Sequence, residues 1–276
     1  MHQNILVVDS FLENPSAARK AASDIQPDVG QKWEGDGGTY YGCRQVPEPL
    51  RQEIEAGLSK LFAPHFVKVK LAIYRLATAG QPTPVAIHAD SSLAEDAFVL
   101  YLSNPSLKQN GGTALWKHRE LGLESRYQLM SIDESTARFL NEEGARPERW
   151  QMIGLLPERF NRLVSYRADW FHSRWPLEAY GRSFFDGRLV VAGFYDIQYV
   201  YSNPAGNTGG PSGDGQAGQP VPEGGQPSTI IPVQFAALGK PVGEVPVQQG
   251  GCGTDSCQIC GREPHTPPNR CQNCEI

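Results

Sequence analysis

Three residues of this sequence have the types and the spacing of a metal site: His88, Asp90 and His172. Side chains alternate between the two faces of an extended strand, so His88 and Asp90 would point to the same side and could bind one ion. The apolar and aromatic segment 163–172 predicts another strand, which would end at His172 and bring it into the same cavity. Two histidines and one carboxylate, with the other coordination positions open, form the facial triad typical of non-haem Fe(II). The pattern therefore predicts an iron site suited to oxygen chemistry.

His118 is a rival for the third iron ligand. It lies in Trp116-Lys117-His118-Arg119, where a predicted strand gives way to charged residues. A solvent-exposed loop histidine is the simpler interpretation of this position, and we therefore prefer His172.

A second metal site is predicted near the end of the chain. Five of the six cysteines lie in the last 25 residues, in a spacing that favours metal thiolates in a reducing compartment over disulfides. The predicted ligands of one tetrahedral Zn(II) ion are two Cys-x-x-Cys pairs, Cys257 with Cys260 and Cys271 with Cys274. Cys252 and His265 are alternative ligands, and a redox-active or unstructured cysteine tail is the competing interpretation.

The composition divides the chain into three parts. We expect an oxygenase domain over residues 1–200, a linker over 201–250 and a zinc-ribbon-like tail over 251–276. Glycine, proline, serine and glutamine dominate the linker, which cannot bury enough apolar surface to fold by itself. Residues 230–238, Ile230 to Leu238, form an apolar island that would either dock on the first domain or form a short strand.

Charge and hydropathy restrict the partners and the location. A net charge of -5 and a pI near 5.7 disfavour nucleic acid and anionic membranes as partners. Two arginines against three acidic residues over 251–276 favour a protein partner for the zinc ribbon instead. No apolar run is long enough to span a membrane, and the N-terminus lacks the features of a signal peptide. We therefore expect a cytoplasmic protein.

Hydrophobic periodicity predicts an α+β fold. Asn14-Pro15 marks the start of a helix that would run to about Ile25, and residues 50–61 have the apolar stripe of a second helix. A third helix is expected, with Asp133 as its cap and Gly144 just past its end. The remaining periodicity from residue 67 to 196 is mostly two, in short runs separated by turn residues. This order predicts a jelly-roll barrel backed by N-terminal helices.

Six motifs follow one another along residues 1–200: Ile5–Leu12 with Asn14-Pro15, His88-x-Asp90, Tyr101-Leu102, Gly111-Gly112-Thr113, His172 and Gly187-Arg188-Leu189. In this order and spacing, the chain resembles the 2-oxoglutarate- and Fe(II)-dependent dioxygenases of the prolyl-hydroxylase type. The resemblance implies a double-stranded β-helix with iron held by His88, Asp90 and His172. It also implies that 2-oxoglutarate chelates the iron and is decarboxylated to succinate and CO2 as O2 is consumed. Ascorbate is a further cofactor that this chemistry would accept.

Arginine is the residue type expected to bind the distal carboxylate of 2-oxoglutarate, because its planar fork pairs bidentately with carboxylates. Arg188 opens the last predicted strand, where the resemblance places this residue. Arg182 stays as the alternative, since it lies ten residues after His172, as in some prolyl hydroxylases. The resemblance further implies that Tyr101 hydrogen-bonds the same carboxylate. Tyr74 is a second candidate, although residues 78–84 depart from the usual spacing.

Two classes of function follow. The first is hydroxylation of a small molecule, or of an amino-acid side chain that is free or within a peptide. The second is a catalytically silent β-barrel scaffold that recruits a protein partner through the zinc ribbon. The complete set of His88, Asp90, His172 and Arg188 favours the enzyme. Retention of Asp90, which related halogenating enzymes replace with a small residue, favours hydroxylation over chlorination.

Overall fold

The computed structural model describes residues 5–32, 39–81, 86–90, 93–107, 111–129 and 134–200. The three α-helices are α1 (Pro15–Lys20), α2 (Glu48–Leu61) and α3 (Glu134–Gly144). The strands are β1 (Leu6–Val8), β2 (Gly30–Lys32), β3 (Thr39–Tyr41), β4 (Cys43–Gln45), β5 (Phe66–Ala77), β6 (Asp96–Tyr101), β7 (Gly112–His118), β8 (Trp150–Pro157), β9 (Leu163–Arg167), β10 (His172–Trp175) and β11 (Arg188–Gln198).

The two N-terminal helices begin where their sequence signals predict. The Asn14 side chain accepts a hydrogen bond of 3.0 Å from the Ala17 amide, which caps α1, and a proline occupies its first turn. Helix α1 nevertheless ends at Lys20, and turns follow it instead of the expected continuation to about Ile25. In α2 the predicted apolar stripe is buried at Leu50, Ile54 and Leu58.

Two antiparallel sheets form the body of the described structure. The larger sheet has the strand order β1-β9-β6-β11-β5-β4, and the smaller has the order β10-β7-β8. From β5 onward the chain alternates between the two sheets. His88 forms an isolated bridge with His172 at the edge of the smaller sheet, and each later strand belongs to one sheet or the other. This winding is that of a jelly roll, so the mostly β architecture with few helices confirms the predicted class.

Three apolar clusters fill the spaces around the sheets. One lies between the larger sheet and the helices α1 and α2, and it includes Leu58 and Leu76. Another joins the facing sides of the two sheets, where Val99 and Val190 meet Leu115. A third covers the outer face of the smaller sheet, which Leu140 of α3 contacts. The space between the sheets is therefore the interior of the barrel.

A β-bulge reverses the expected direction of side chains in β5. Leu71 pairs with Phe194, but the next pair joins Val69, and not Lys70, to Tyr195. Such an extra residue shifts the alternation by one position. Val69 therefore shares its helix-facing side with Tyr74, whereas simple alternation predicts opposite sides.

Several elements differ from the sequence-based predictions. The segment predicted to end at His172 consists of β9, a turn, and β10, which begins at His172. Residues 87–90 make a single bridge instead of a strand, and β8 was not predicted. Gly144 is the last residue of α3 and not the residue after it. Among the described residues no helix has the length and apolarity that crossing a membrane requires.

Other predictions fall outside the described residues. These are the linker, the apolar island Ile230–Leu238, the cap Asp133, and the proposed zinc ligands Cys257, Cys260, Cys271 and Cys274 with their alternatives Cys252 and His265.

Candidate metal centre

His88, Asp90 and His172 come together at one point of the barrel. Backbone hydrogen bonds position them: the His88 amide donates to the His172 carbonyl (3.0 Å), the His172 amide donates back (2.8 Å), and the Asp90 amide donates to Ala168 (2.9 Å). His88 Nε2 lies 3.6 Å from Asp90 Oδ1, and His172 Nε2 lies 3.3 Å from Asp90 Oδ2. Ligand atoms that each lie about 2.1 Å from one ion are separated by about 3 Å at right angles. The three side chains therefore have the types and nearly the spacing of a metal site.

The hydrogen bond of the buried His172 ring fixes which nitrogen is free to bind. Its Nδ1 lies 2.9 Å from the Trp170 carbonyl, so it carries the proton and leaves the Nε2 lone pair towards Asp90. This arrangement is the common support of metal-binding histidines. The centre of the Tyr166 ring lies 4.9 Å from that of the imidazole.

The surroundings keep the second histidine neutral. His88 retains 37% of its side-chain exposure, yet protein atoms around the ring and the nearby His172 lower its pKa to about 4. The positive charge of Arg75 also lowers the pKa of His88, whereas the negative charge of Asp90 raises it. A neutral imidazole is the form that binds metals, because its nitrogen lone pair is then free.

Arg188 begins β11 inside the barrel and is only 5% exposed. Its Nη2 donates to the Gly112 carbonyl (3.2 Å), and its guanidinium carbon lies 5.5 Å from the centre of the Tyr101 ring. The Tyr101 hydroxyl is 2.8 Å from the Thr113 hydroxyl and 3.1 Å from the Leu156 carbonyl. Burial raises the pKa of Tyr101 to about 12, so the phenol keeps its proton as a hydrogen-bond donor. A buried guanidinium and two hydroxyl groups thus lie close together inside the barrel.

A buried carboxylate supports this arginine. Glu158 Oε2 lies 3.6 Å from Arg188 Nε, and the Glu158 side chain is fully enclosed. Ser103 and Tyr180 donate hydrogen bonds to the same carboxylate. A Cβ at Gly111 would lie 2.7 Å from Glu158 Oε2, so only glycine fits there. Such contacts hold the guanidinium in one place while leaving part of it for a ligand.

Two further arginines share the interior. Arg75 pairs with Val190 across β5 and β11, and directly opposite residues project from the same face of a sheet. Arg174 pairs with Thr113 on the facing sheet. Burial, and then the charges of Arg75 and Arg188, lower the pKa of Arg174 to about 10. The barrel interior is therefore rich in positive charge.

Tyr74 lies on the helix side of the larger sheet and not in the barrel. Its hydroxyl donates to the Ala18 carbonyl (2.8 Å), and its side chain belongs to the core under α1 and α2. The bulge in β5 is the physical reason. The structure thus does not bring Tyr74 to the cluster, and we drop it as a contact of 2-oxoglutarate.

The alternative arginine lies in an exposed loop. The Arg182 amide donates to Asp186 Oδ1 (3.0 Å), and the side chain lines a surface depression with Gly80 and Phe184. Neither of these neighbours contacts the metal cluster or Arg188 within the described structure. The positions therefore favour Arg188 over Arg182 as the interior cation.

His118 is buried, contrary to the exposed loop position that we expected, but it is not part of the cluster. Its Nε2 lies 2.9 Å from Glu143 Oε2, and its Nδ1 accepts a hydrogen bond from the Leu121 amide (3.2 Å). The ring packs edge-on against Trp150 at 5.0 Å. Among the described residues, the group that could hold an ion consists of His88, Asp90 and His172.

Sequence reasoning missed four residues that face the interior: Glu158, Arg75, Arg174 and Tyr166. Thr113 was part of the Gly111-Gly112-Thr113 motif but was given no role. The two arginines could have been assigned to the interior only with the strand register known, since charged residues on a strand usually face solvent.

A family model supplies the first comparison with known proteins. The model described as "Family of unknown function (DUF6445)" matches residues 1–195, a segment that includes the three clustered residues and Arg188. None of the curated proteins compared with the chain matches it.

The chain is also similar to solved structures of low sequence identity. One is SnoK, a non-heme alpha ketoglutarate dependent carbocyclase from nogalamycin biosynthesis, with a TM-score of 0.45, 13% identity, and coverage of 71% of this chain and 80% of that chain. Another is AviO1 from Streptomyces viridochromogenes Tue57, with a TM-score of 0.40, 15% identity, and coverage of 75% and 92%. A third is EctD from S. alaskensis with 2-oxoglutarate and 5-hydroxyectoine, with a TM-score of 0.40, 12% identity, and coverage of 70% and 72%.

Proposed function

We propose that the chain, which belongs to the DUF6445 family, is a non-haem Fe(II)- and 2-oxoglutarate-dependent oxygenase. The observation that carries this proposal is the cluster of His88, Asp90 and His172, whose ligand atoms all lie within 4.8 Å of one another. Two imidazoles and one carboxylate suit Fe(II) and leave coordination positions for other ligands.

The chain's own groups would prepare this site for the metal. Trp170 fixes the tautomer of His172, and the low pKa of His88 leaves its nitrogen unprotonated at neutral pH. Bound there, Fe(II) would use O2 and 2-oxoglutarate to hydroxylate a C–H bond, one oxygen atom entering the product and the other entering succinate as CO2 is released. Asp90 would occupy the coordination position that binds chloride in related halogenating enzymes, and its presence supports hydroxylation.

Arg188 would bind the distal carboxylate of 2-oxoglutarate. Its guanidinium is held from one side by Glu158 and lies beside Tyr101, whose protonated hydroxyl is close to that of Thr113. An arriving carboxylate would compete with the Leu156 carbonyl for the phenol proton and would gain a charge-assisted partner from the arginine. The apolar side chains between the sheets would exclude water from this pairing.

The proposal predicts that the purified chain releases succinate from 2-oxoglutarate only when Fe(II) and O2 are present. Uncoupled turnover without the substrate is sufficient for detection, and ascorbate should be included to keep the iron reduced. Succinate is measured by mass spectrometry, with Zn(II) replacing Fe(II) as the control. No succinate under any of these conditions would favour the silent scaffold instead.

We further propose that the tail binds one Zn(II) and is dispensable for the iron chemistry. A long glycine- and proline-rich segment precedes the cysteines, so mechanical coupling to the barrel should be weak. A chain truncated after Ser202 should lose its zinc and keep succinate release within about twofold of the full chain. Metal analysis tests this, with the full chain carrying Cys257→Ser and Cys260→Ser as the matched variant. Unchanged zinc content in either protein would refute the zinc site.

A further inference from the structure

The barrel interior contains more positive charge than 2-oxoglutarate needs. Arg75, Val190 and Tyr101 stand in one row across β5, β11 and β6, so their side chains project from the same face. The Tyr101 hydroxyl touches Thr113 of the facing sheet, and Thr113 is paired with Arg174. Arg75 and Arg174 thus approach the same space from opposite walls.

Arg75 and Arg174 differ in their hydrogen-bond partners. Arg174 Nε donates to the Leu177 carbonyl (2.8 Å), which lies two residues beyond the end of β10. Arg75 is partly buried, and among the residues that the structure describes it makes no hydrogen bond or ion pair. The Arg75 nitrogens are not among the fully buried side-chain atoms that lack a partner, so they are accessible to a ligand. The position of Arg75 is explained if a ligand supplies the missing anion.

The acidic residues that face this space are already engaged. Glu158 lies against Arg188, and Asp90 faces His88 and His172. Glu178, which also acts on Arg174, lies on the exposed side. The charges of Fe(II) and of the 2-oxoglutarate dianion cancel. With both bound, Arg75 is still without an anionic partner among the described residues.

Building on the proposed oxygenase function, we propose that the substrate carries an anionic group, such as a carboxylate, sulfonate or phosphate, which Arg75 and Arg174 bind. Arg174 lies two residues from His172 on the same face of β10, a step of about 7 Å along a strand. The anionic group would therefore sit within a few bonds of the carbon that is hydroxylated. The site would also select against neutral analogues, because these leave Arg75 without an anionic partner among the described residues.

A matched pair of probes tests this proposal without knowledge of the substrate. Methanesulfonate and dimethyl sulfone have similar shapes, but only the first is an anion. The full chain is loaded with Mn(II) and 2-oxoglutarate in the absence of O2, and each probe is added in turn. Paramagnetic relaxation of the probe's methyl protons then reports binding close to the metal.

Methanesulfonate should bind roughly tenfold more tightly than dimethyl sulfone, as expected for a charge-assisted hydrogen bond in place of a neutral contact. Arg75→Gln should remove this preference, and Arg75→Lys should keep part of it. Lys68→Gln also removes one positive charge, from an exposed position of β5, and should leave the preference for methanesulfonate intact. Equal relaxation of the two probes, or an unchanged preference in Arg75→Gln, would overturn the proposal. Failure of Mn(II) or 2-oxoglutarate to bind, seen first in the electron paramagnetic resonance spectrum, would count against the proposed oxygenase itself.

Discussion

Replacing Asp90 with alanine should abolish Fe(II)-dependent succinate release while the barrel stays folded. The carboxylate supplies one of three ligand groups, and even residues that only orient a ligand typically affect metal affinity or activity by 10- to 100-fold. We therefore expect a loss of more than about 100-fold. Because the Asp90 side chain pairs with the two imidazoles and with no other side chain in the described part of the chain, the free energy of unfolding should change by less than about 1 kcal/mol.

The measurement compares succinate release, metal content and the melting temperature of each variant. His88→Ala should behave like Asp90→Ala, since the His88 ring is also partly exposed. Glu95→Ala is the matched control, because it removes an acidic side chain from an exposed position that pairs with Arg167. Full succinate release in the Asp90 or His88 variant would exclude the proposed iron site.

Replacing Arg188 should raise the requirement for 2-oxoglutarate steeply, whereas replacing Arg182 should not. Hydrogen bonds to charged groups contribute about 1.5–3 kcal/mol each, so loss of the guanidinium should raise KM for 2-oxoglutarate by roughly 100-fold. Arg182→Ala, in the exposed loop, should change KM for 2-oxoglutarate by no more than about twofold. The reverse pattern would make Arg182 the anchor.

Stability must be separated from binding in this comparison, since Arg188→Ala leaves the enclosed Glu158 carboxylate without its cation. Loss of one partner of a buried pair typically costs about 3–5 kcal/mol. Arg188→Met combined with Glu158→Gln avoids the unpaired charge and should fold while still failing to saturate with 2-oxoglutarate. Arg188→Lys keeps the charge but not the planar fork, so its KM for 2-oxoglutarate should lie between those of the wild type and the double variant.

Local rules predicted the cluster residues and several elements of the fold. His88 and Asp90 lie close together as alternation over two residues predicts, although residues 87–90 form a single bridge and not a strand. The Asn14 cap and the apolar stripe of α2 likewise involve residues within one or two turns of each other. Arg188 was preferred from sequence because it opens a strand, and its register inside the larger sheet agrees with that choice.

Tertiary structure alone decided which side chains share a space. The β5 bulge turns Tyr74 towards the helices. The bulge itself arises from pairing with β11, which lies more than a hundred residues later in the chain. His118 is buried because Glu143 of α3 reaches it, and Glu158 meets Arg188 only because the two sheets face each other. The same facing brings Arg75 and Arg174 together, although each alone has the sequence context of an exposed strand residue. Such contacts depend on strand register and sheet packing, which no pattern of neighbouring residues encodes.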